Sequence, residues 1–431
     1  MLIIYLFLIS IILYQFLYCR FHPIKYFICT WSFVFIGSFL APLNFIHVGS
    51  IFSPIIFLSL LNISVIVGYY MVNFKFKLNN YNENDINFNL ILKIGIVGIL
   101  LTLAGGISRS YSLLLNFDIS SIRDGITHIE SANLYEQLGS VLRGLALFSI
   151  SYYFYNFNFV NKKLETFLLV LFILFPITIG GRQSYLIFFL LIFFNVKLKK
   201  ISNSSFKNEN IYVKSKINFI TILIISLFFL LVLISIFRFN LESALHFESK
   251  LNMFSNYSSV SIRNSFESIY NLPQALQDLI FEFNYYFGSQ IYRFVELYNL
   301  NELPLINIDF INKSPFLARN LDKLLPIQIY GISDIPSISG YISSFTWSTS
   351  NYYNIILYGK LGTILINLIF GMTLRIIFDL FRKNKNSFII SNFLIANCVL
   401  IIYDIISSPL LDTDFFIYYV VSFFYFLKKI V

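Results

Sequence analysis

Residues Ile51–Val72 read IFSPIIFLSLLNISVIVGYYMV, a run without one charged side chain. At a rise of about 1.5 Å per residue, about 20 mostly apolar residues cross the roughly 30 Å hydrocarbon layer of a bilayer. Backbone groups find no water there, so a spanning segment is a helix or a strand of a closed barrel. Barrel strands alternate apolar and polar residues. This run does not alternate and predicts a helix. Leu2–Tyr18, Phe167–Ile179, Tyr185–Val196 and Phe219–Phe237 read the same way. The 431 residues are 57% hydrophobic and 12% charged, with a mean hydropathy of +0.73. Soluble domains carry about 25% charged residues, so much of this surface is expected to face lipid. Leu2–Tyr18 has no basic stretch before it and no small-x-small site after it. It is read as a first membrane helix rather than a cleaved signal.

The expectation is an all-α, polytopic transmembrane protein. Eleven helices are predicted, roughly at 1–19, 26–44, 51–73, 88–107, 138–156, 164–180, 183–197, 217–237, 354–376, 387–406 and 414–428. Alternate connections are basic: Arg20 and Lys25; Lys75 and Lys77; Lys162 and Lys163; the 197–216 loop with Lys197, Lys199, Lys200, Lys207, Lys214 and Lys216; Arg382, Lys383 and Lys385; then Lys428 and Lys429. Short loops rich in Lys and Arg stay on the cytoplasmic side. That places the N-terminus outside and the C-terminus inside. The outer side then holds Asn44–Ser50, the 108–137 loop, a tight Gly180–Arg182 turn, a short turn at Asp412 and a long 238–353 segment. Ordinary connections have only a few residues. The long one is rich in aromatics, with amphipathic stretches at Ser261–Tyr270 and Ala275–Tyr286 separated by Pro273. Low hydrophobicity marks disorder, and this segment is the opposite; it is expected to fold as a partly helical cap. The whole of 1–431 is read as one membrane-embedded domain.

The outer basic residues are mostly Arg: Arg109, Arg123, Arg143, Arg182, Arg238, Arg263, Arg293 and Arg319. The inner ones are almost all Lys. Topology asks only for positive charge, so the Arg bias needs a reason of its own. A guanidinium holds phosphate or carboxylate through two parallel hydrogen bonds. One reading is an outer site for an anionic, phosphate-bearing ligand. The other is pairing with Asp118, Asp124, Glu130, Glu136, Glu242 or Glu248, or anchoring at headgroups. Tyr341 to Tyr352, with Trp347 between them, is the densest aromatic and hydroxyl segment. It suits sugar rings or an interfacial belt equally. Cys19, Cys29 and Cys398 lie in or beside apolar blocks and offer the long segment no disulfide. His22, His47, His128 and His246 are scattered, and there is no phosphate-binding Gly-rich loop and no HExxH, so no metal or cofactor is expected. Asp412 and Asp414 are read as turn residues rather than metal ligands. No acid occurs in Asn44–Ser50, where oligosaccharyltransferase-type enzymes place catalytic acids.

Four features together resemble the O-antigen polymerases (Wzy-type oligosaccharide repeat-unit polymerases). They are the helix count with one long late outer loop; the Gly180-Gly181-Arg182-Gln-Ser-Tyr turn; Arg238 opening the long loop; and a Ser/Thr/aromatic segment leading to Tyr358-Gly-Lys-Leu-Gly362. The resemblance runs roughly from Phe88 to Lys429. It implies a bacterial inner-membrane enzyme with a periplasmic N-terminus and a cytoplasmic C-terminus. Its substrates would be oligosaccharide repeat units on undecaprenyl diphosphate, joined on the periplasmic face by inverting glycosyl transfer without a metal. It further implies functional contact with a chain-length regulator and a flippase, and none with nucleic acid. Arg182 and Arg238 are then expected at the leaving diphosphate, with Arg123 and Arg143 next. Arg263, Arg293 and Arg319, with Tyr341, Trp347 and Tyr352, are expected to hold the acceptor sugar. Asp124, Glu136 and His246 all stand as general-base candidates. Two rivals remain: a flippase for the same lipid, against which the absence of an internal repeat counts, and an O-antigen ligase, which His246 keeps open. The orientation has a direct check. Green fluorescent protein fused after Val431 is expected to fluoresce, and alkaline phosphatase inserted after Asn299 to be active; the opposite pair of results overturns it.

Overall fold

The computed structural model describes residues 2–18, 21–40, 42–45, 49–72, 83–114, 134–156, 182–203, 260–299, 303, 305, 349–403 and 413–430. These are mostly helical. In chain order the elements are α1 (Leu2–Tyr18), α2 (Pro23–Phe39), β1 (Leu43–Phe45), α3 (Phe52–Met71), α4 (Phe88–Leu114), α5 (Leu134–Asn156), α6 (Arg182–Asn203), β2 (Val260–Ile262), α7 (Gln274–Asn299), α8 (Ser350–Lys383), α9 (Phe388–Tyr403) and α10 (Thr413–Ile430). Short 3-10 turns occupy Glu83–Asp85 and Asn264–Asn271. Helices stand at nine of the eleven predicted positions; 164–180 and 217–237 lie outside the described residues. The helix ends differ from the hydropathy ends. α4 and α5 reach into the predicted 108–137 loop, and α6 into the 197–216 loop, because a helix continues for as long as its backbone bonds can form, not only while its side chains are apolar. The chain is not purely α: among the described residues two three-residue strands are present.

Read as one domain from sequence, the chain clusters into two compact units. The first is Met1–Phe74, Ser243–Phe378 and Leu400–Leu411. Its strands pair antiparallel, Leu43 with Ile262, Asn44 with Ser261 and Phe45 with Val260. This ribbon and the turn after it cover an apolar cluster of Leu43, Val260, Phe266, Ile269, Phe281, Tyr285 and Tyr292. Phe281, Tyr285 and Tyr292 project from one face of α7, which packs on α2, α3 and β1. The two predicted amphipathic stretches are thus a 3-10 turn and the first half of a longer helix, with Pro273 at the join.

α3 and the stretch Asn354–Lys383 are long and apolar enough to cross a membrane. Only 44% and 39% of their most apolar windows are buried, so most of their apolar surface points outward: Phe52, Ile56, Ile63 and Val67 on α3, Leu361, Leu365 and Ile369 on α8. They touch each other backbone to backbone. A Cβ on Gly68 would sit 2.1 Å from the Leu368 carbonyl oxygen, and one on Gly371 2.1 Å from that of Val65. Small residues at such crossings let membrane helices pack closely.

α8 is not one rod. Gly359 has φ 75° and ψ −178°, a backbone that suits glycine. Asn367 donates from Nδ2 to Asn351 Oδ1 at 2.9 Å, although the two are 16 residues apart. In a straight helix that separation is about 24 Å. The chain therefore reverses at Gly359, eight residues from each, and Ser350–Tyr358 lies back along the following helix. The predicted ninth helix, 354–376, is corrected accordingly: its first residues belong to a returning arm. From Lys360 onward the helix still measures about 36 Å. Gly362 faces the arm at close range, where a Cβ would meet Tyr358 Cβ at 2.8 Å.

The second unit is Lys75–Glu242, Asp379–Val399 and Asp412–Val431. Here α4 crosses α5 at Gly98 and Gly139, where a Cβ on Gly98 would lie 2.7 Å from the Gly139 carbonyl. α9 is buried on every side from Phe388 to Val399. Its polar residues are bonded within the unit: Asn392 donates to Ser422 at 2.7 Å and accepts from Tyr418 at 2.8 Å. Glu83 caps its start, accepting from the Phe388 N–H at 2.9 Å and from the Ser387 hydroxyl, a carboxylate at the positive end of a helix.

Overpacking a close-packed site costs about 1–3 kcal/mol. Gly371→Ala is expected to lower the thermal midpoint in detergent, while Leu365→Ala, on the outward face of the same helix, leaves it nearly unchanged. Equal midpoints for both would contradict the backbone crossing.

Candidate functional site

Three of the arginines singled out from sequence have described side chains in folded surroundings, and each has a different neighbour. Arg263 follows β2 and reaches the end of α2. Its Nη2 donates to the Ser38 carbonyl at 3.1 Å and its Nη1 to that of Phe39. The last carbonyls of a helix have no partner within it and carry partial negative charge, so a guanidinium fork fits them. Tyr292 adds a bond from its hydroxyl to Ser38 O at 3.4 Å, and Ser38 Oγ donates to Gly288 O at 3.0 Å. Burial raises the Tyr292 phenol pKa above its ordinary value, and the neighbouring Arg263 opposes that rise. Arg263 thus meets the carbonyl end of a helix, a contact that ties α2 to the ribbon.

Arg143, in the second unit, meets a carboxylate. Its Nη2 lies 3.0 Å from each oxygen of Asp414 in the first turn of α10. Gly144 makes this reach workable: a Cβ there would be 2.6 Å from the Asp414 carbonyl oxygen. The partner is not among the acids proposed for pairing from sequence. The same contact commits Asp414, read earlier as a turn residue, to an ion pair. Among the described residues no three His, Cys, Asp or Glu side chains gather as a metal site.

Arg293 is the third. It sits on α7, only 2% exposed, with its guanidinium carbon 5.6 Å from the centre of the Tyr352 ring. Tyr352 is also 2% exposed. This is the pair of predicted sugar-site residues that the fold brings together. A cation within about 6 Å of a ring face is attracted by its quadrupole. Tyr352 is placed by the arm. Thr349 caps the arm's first turn, accepting from the Tyr352 N–H through its carbonyl at 3.0 Å and its Oγ1 at 3.3 Å. Asn351 fastens it through the Asn367 bond and through its own Nδ2 to Asn62 Oδ1 at 3.4 Å. Asn367 also donates to the Leu61 carbonyl at 3.1 Å. Asn62, Asn351 and Asn367 are all buried.

The sequence reading missed these three asparagines. The signal was available, since polar side chains inside apolar runs are costly and bond across helices. Arg182 is the first residue of α6 and Glu136 stands in the first turn of α5. Arg123, Arg238, Arg319, Tyr341, Trp347, Asp124 and His246 lie outside the described residues.

No family model, curated protein or solved structure matches the chain.

The ion pair yields a double-mutant test. Arg143 is buried and Asp414 partly so, so removing one partner strands the other charge at a cost of up to about 3 kcal/mol. Arg143→Met is expected to lower the detergent melting midpoint sharply, and adding Asp414→Asn to recover part of the loss. A fully additive double mutant would show that the pair carries no coupling.

Proposed function

We propose that the chain is an eleven-helix inner-membrane glycosyltransferase, N-terminus periplasmic and C-terminus cytoplasmic, that polymerises oligosaccharide repeat units carried on undecaprenyl diphosphate. The observation that carries the reading is the enclosure of Arg293 against Tyr352. An arginine from the long outer segment is enclosed beside an aromatic ring in a buried, polar-fastened setting. Support also comes from the outward apolar faces of α3 and α8, which suit lipid, and from the basic residues that recur on alternate connections.

In this reading the acceptor hydroxyl attacks the anomeric carbon of the donor. Its proton passes to a base drawn from Asp124, Glu136 and His246. The bond to the carrier breaks and its electron pair leaves with the diphosphate. Guanidinium groups aimed at the developing charge lower the barrier electrostatically. Arg182, Arg238 and Arg123 are the side chains proposed there. Arg293, stacked on Tyr352, is proposed at the entry of the same anion or of the acceptor sugar. Arg143 and Arg263 are proposed to hold helices in place.

The test is a gel of surface glycan from a strain lacking the gene, then from the strain rescued by each variant. Deletion is expected to collapse the ladder to a single attached repeat unit. Arg182→Ala, at normal protein level, is expected to leave it collapsed, and Arg293→Ala to slow chain extension by about 100-fold. Loss of even the single repeat overturns the polymerase. Long chains stranded on the carrier would then identify a ligase, and single units trapped on the cytoplasmic face a flippase.

A further inference from the structure

One end of the second unit gathers cations from separate places in the chain. They meet at Tyr155, next to last in α5. Its hydroxyl donates to the Lys385 carbonyl at 2.7 Å, in the turn between α8 and α9. The Lys199 ammonium, from the last turn of α6, lies 4.7 Å from the centre of the Tyr155 ring. Arg382 and Lys383 end α8 just before that turn, and both are exposed. The Asn384 N–H bonds to Leu380 O at 3.0 Å and the Ser387 N–H to Asn384 O at 3.1 Å, so the helix stops and the chain turns beside Tyr155. Among the described residues, none of Lys199, Arg382 and Lys383 has a carboxylate within ion-pair distance. Glu83 touches the same turn, but its carboxylate is bound to the start of α9 through Ser387 and Phe388. Gathered like charges repel unless a counter-charge joins them. The rule that sorts basic loops to one side of a membrane acts on each loop during insertion. It does not ask that Lys199 and the end of α8 be folded onto one tyrosine. A ring face holds a lysine where apolar and polar surroundings meet, and it leaves the charge unneutralised.

We propose that this end of the second unit is a docking surface for an acidic phospholipid, whose headgroup phosphate lies among Lys199, Arg382 and Lys383 beside the Tyr155 ring. Basic pockets between membrane helices recruit such headgroups. The Arg382 guanidinium suits phosphate through two parallel bonds, and the two lysines act as point charges. The surface lies with the basic connections, on the side away from the proposed glycosyl transfer. Its occupant is therefore a lipid of the surrounding leaflet rather than a substrate, and the inference stands or falls apart from the polymerase reading.

The experiment is native mass spectrometry of the full chain, delipidated in detergent and titrated with tetraoleoyl cardiolipin or dioleoyl phosphatidylcholine at constant ionic strength. Cardiolipin is expected to bind about tenfold more tightly than phosphatidylcholine. Lys199→Gln and Lys383→Gln are each expected to weaken cardiolipin about fivefold. Lys199→Arg is expected to preserve its binding, and Lys360→Gln, which removes one charge from the first unit, to leave it unchanged. If Lys199→Gln lowers the melting midpoint, Lys383→Gln, on an exposed side chain, decides in its place. Equal affinity for the two lipids overturns the site. So does a cardiolipin affinity unmoved by Lys383→Gln, or lowered equally by Lys360→Gln. Displacement of bound cardiolipin by millimolar inorganic phosphate would assign the cations to a free anion and overturn the lipid.

Discussion

A polar side chain closed off from water must find a partner, and that requirement fixes much of the geometry in both units. An unsatisfied buried group costs about 1–3 kcal/mol, whereas a satisfied one contributes about 1 kcal/mol. Between membrane helices the measured contribution averages only about 0.6 kcal/mol. Such contacts therefore choose among arrangements more than they stabilise any one of them. In the first unit, the amides of Asn351 and Asn367 meet only if the chain doubles back at Gly359. The α2 carbonyls are met by Arg263 only if the β-ribbon runs alongside. In the second unit, Asn195 donates to Ser151 at 2.9 Å and to Leu191 O at 2.8 Å, which sets the facing of α6 on α5. Van der Waals packing at the glycine crossings does the rest.

The helices were legible in the sequence because a long uncharged apolar run has few other uses. Their ends were less so. Hydropathy reports where hydrocarbon stops, and α4, α6 and α10 all continue past that point. The reversal in α8 was hidden for a different reason. Tyr358-Gly-Lys-Leu-Gly362 was visible as a motif, but a glycine inside an apolar run reads equally as a crossing point, as at Gly371, or as a turn, as at Gly359. Only the distant Asn351–Asn367 bond separates the two, and no local pattern encodes it.

The arginines show where residue chemistry stops short of a role. The bias toward Arg points to planar forks. A fork, however, fits a carboxylate, a phosphate and a pair of backbone carbonyls alike. Arg143 took the first and Arg263 the last. Both are long-range choices: Asp414 is 271 residues from Arg143, and Phe39 is 224 from Arg263. Asn351 was passed over for the complementary reason. It stands inside the quoted aromatic segment, where Tyr352 drew the reading toward sugar, while its own value lies in what it grips.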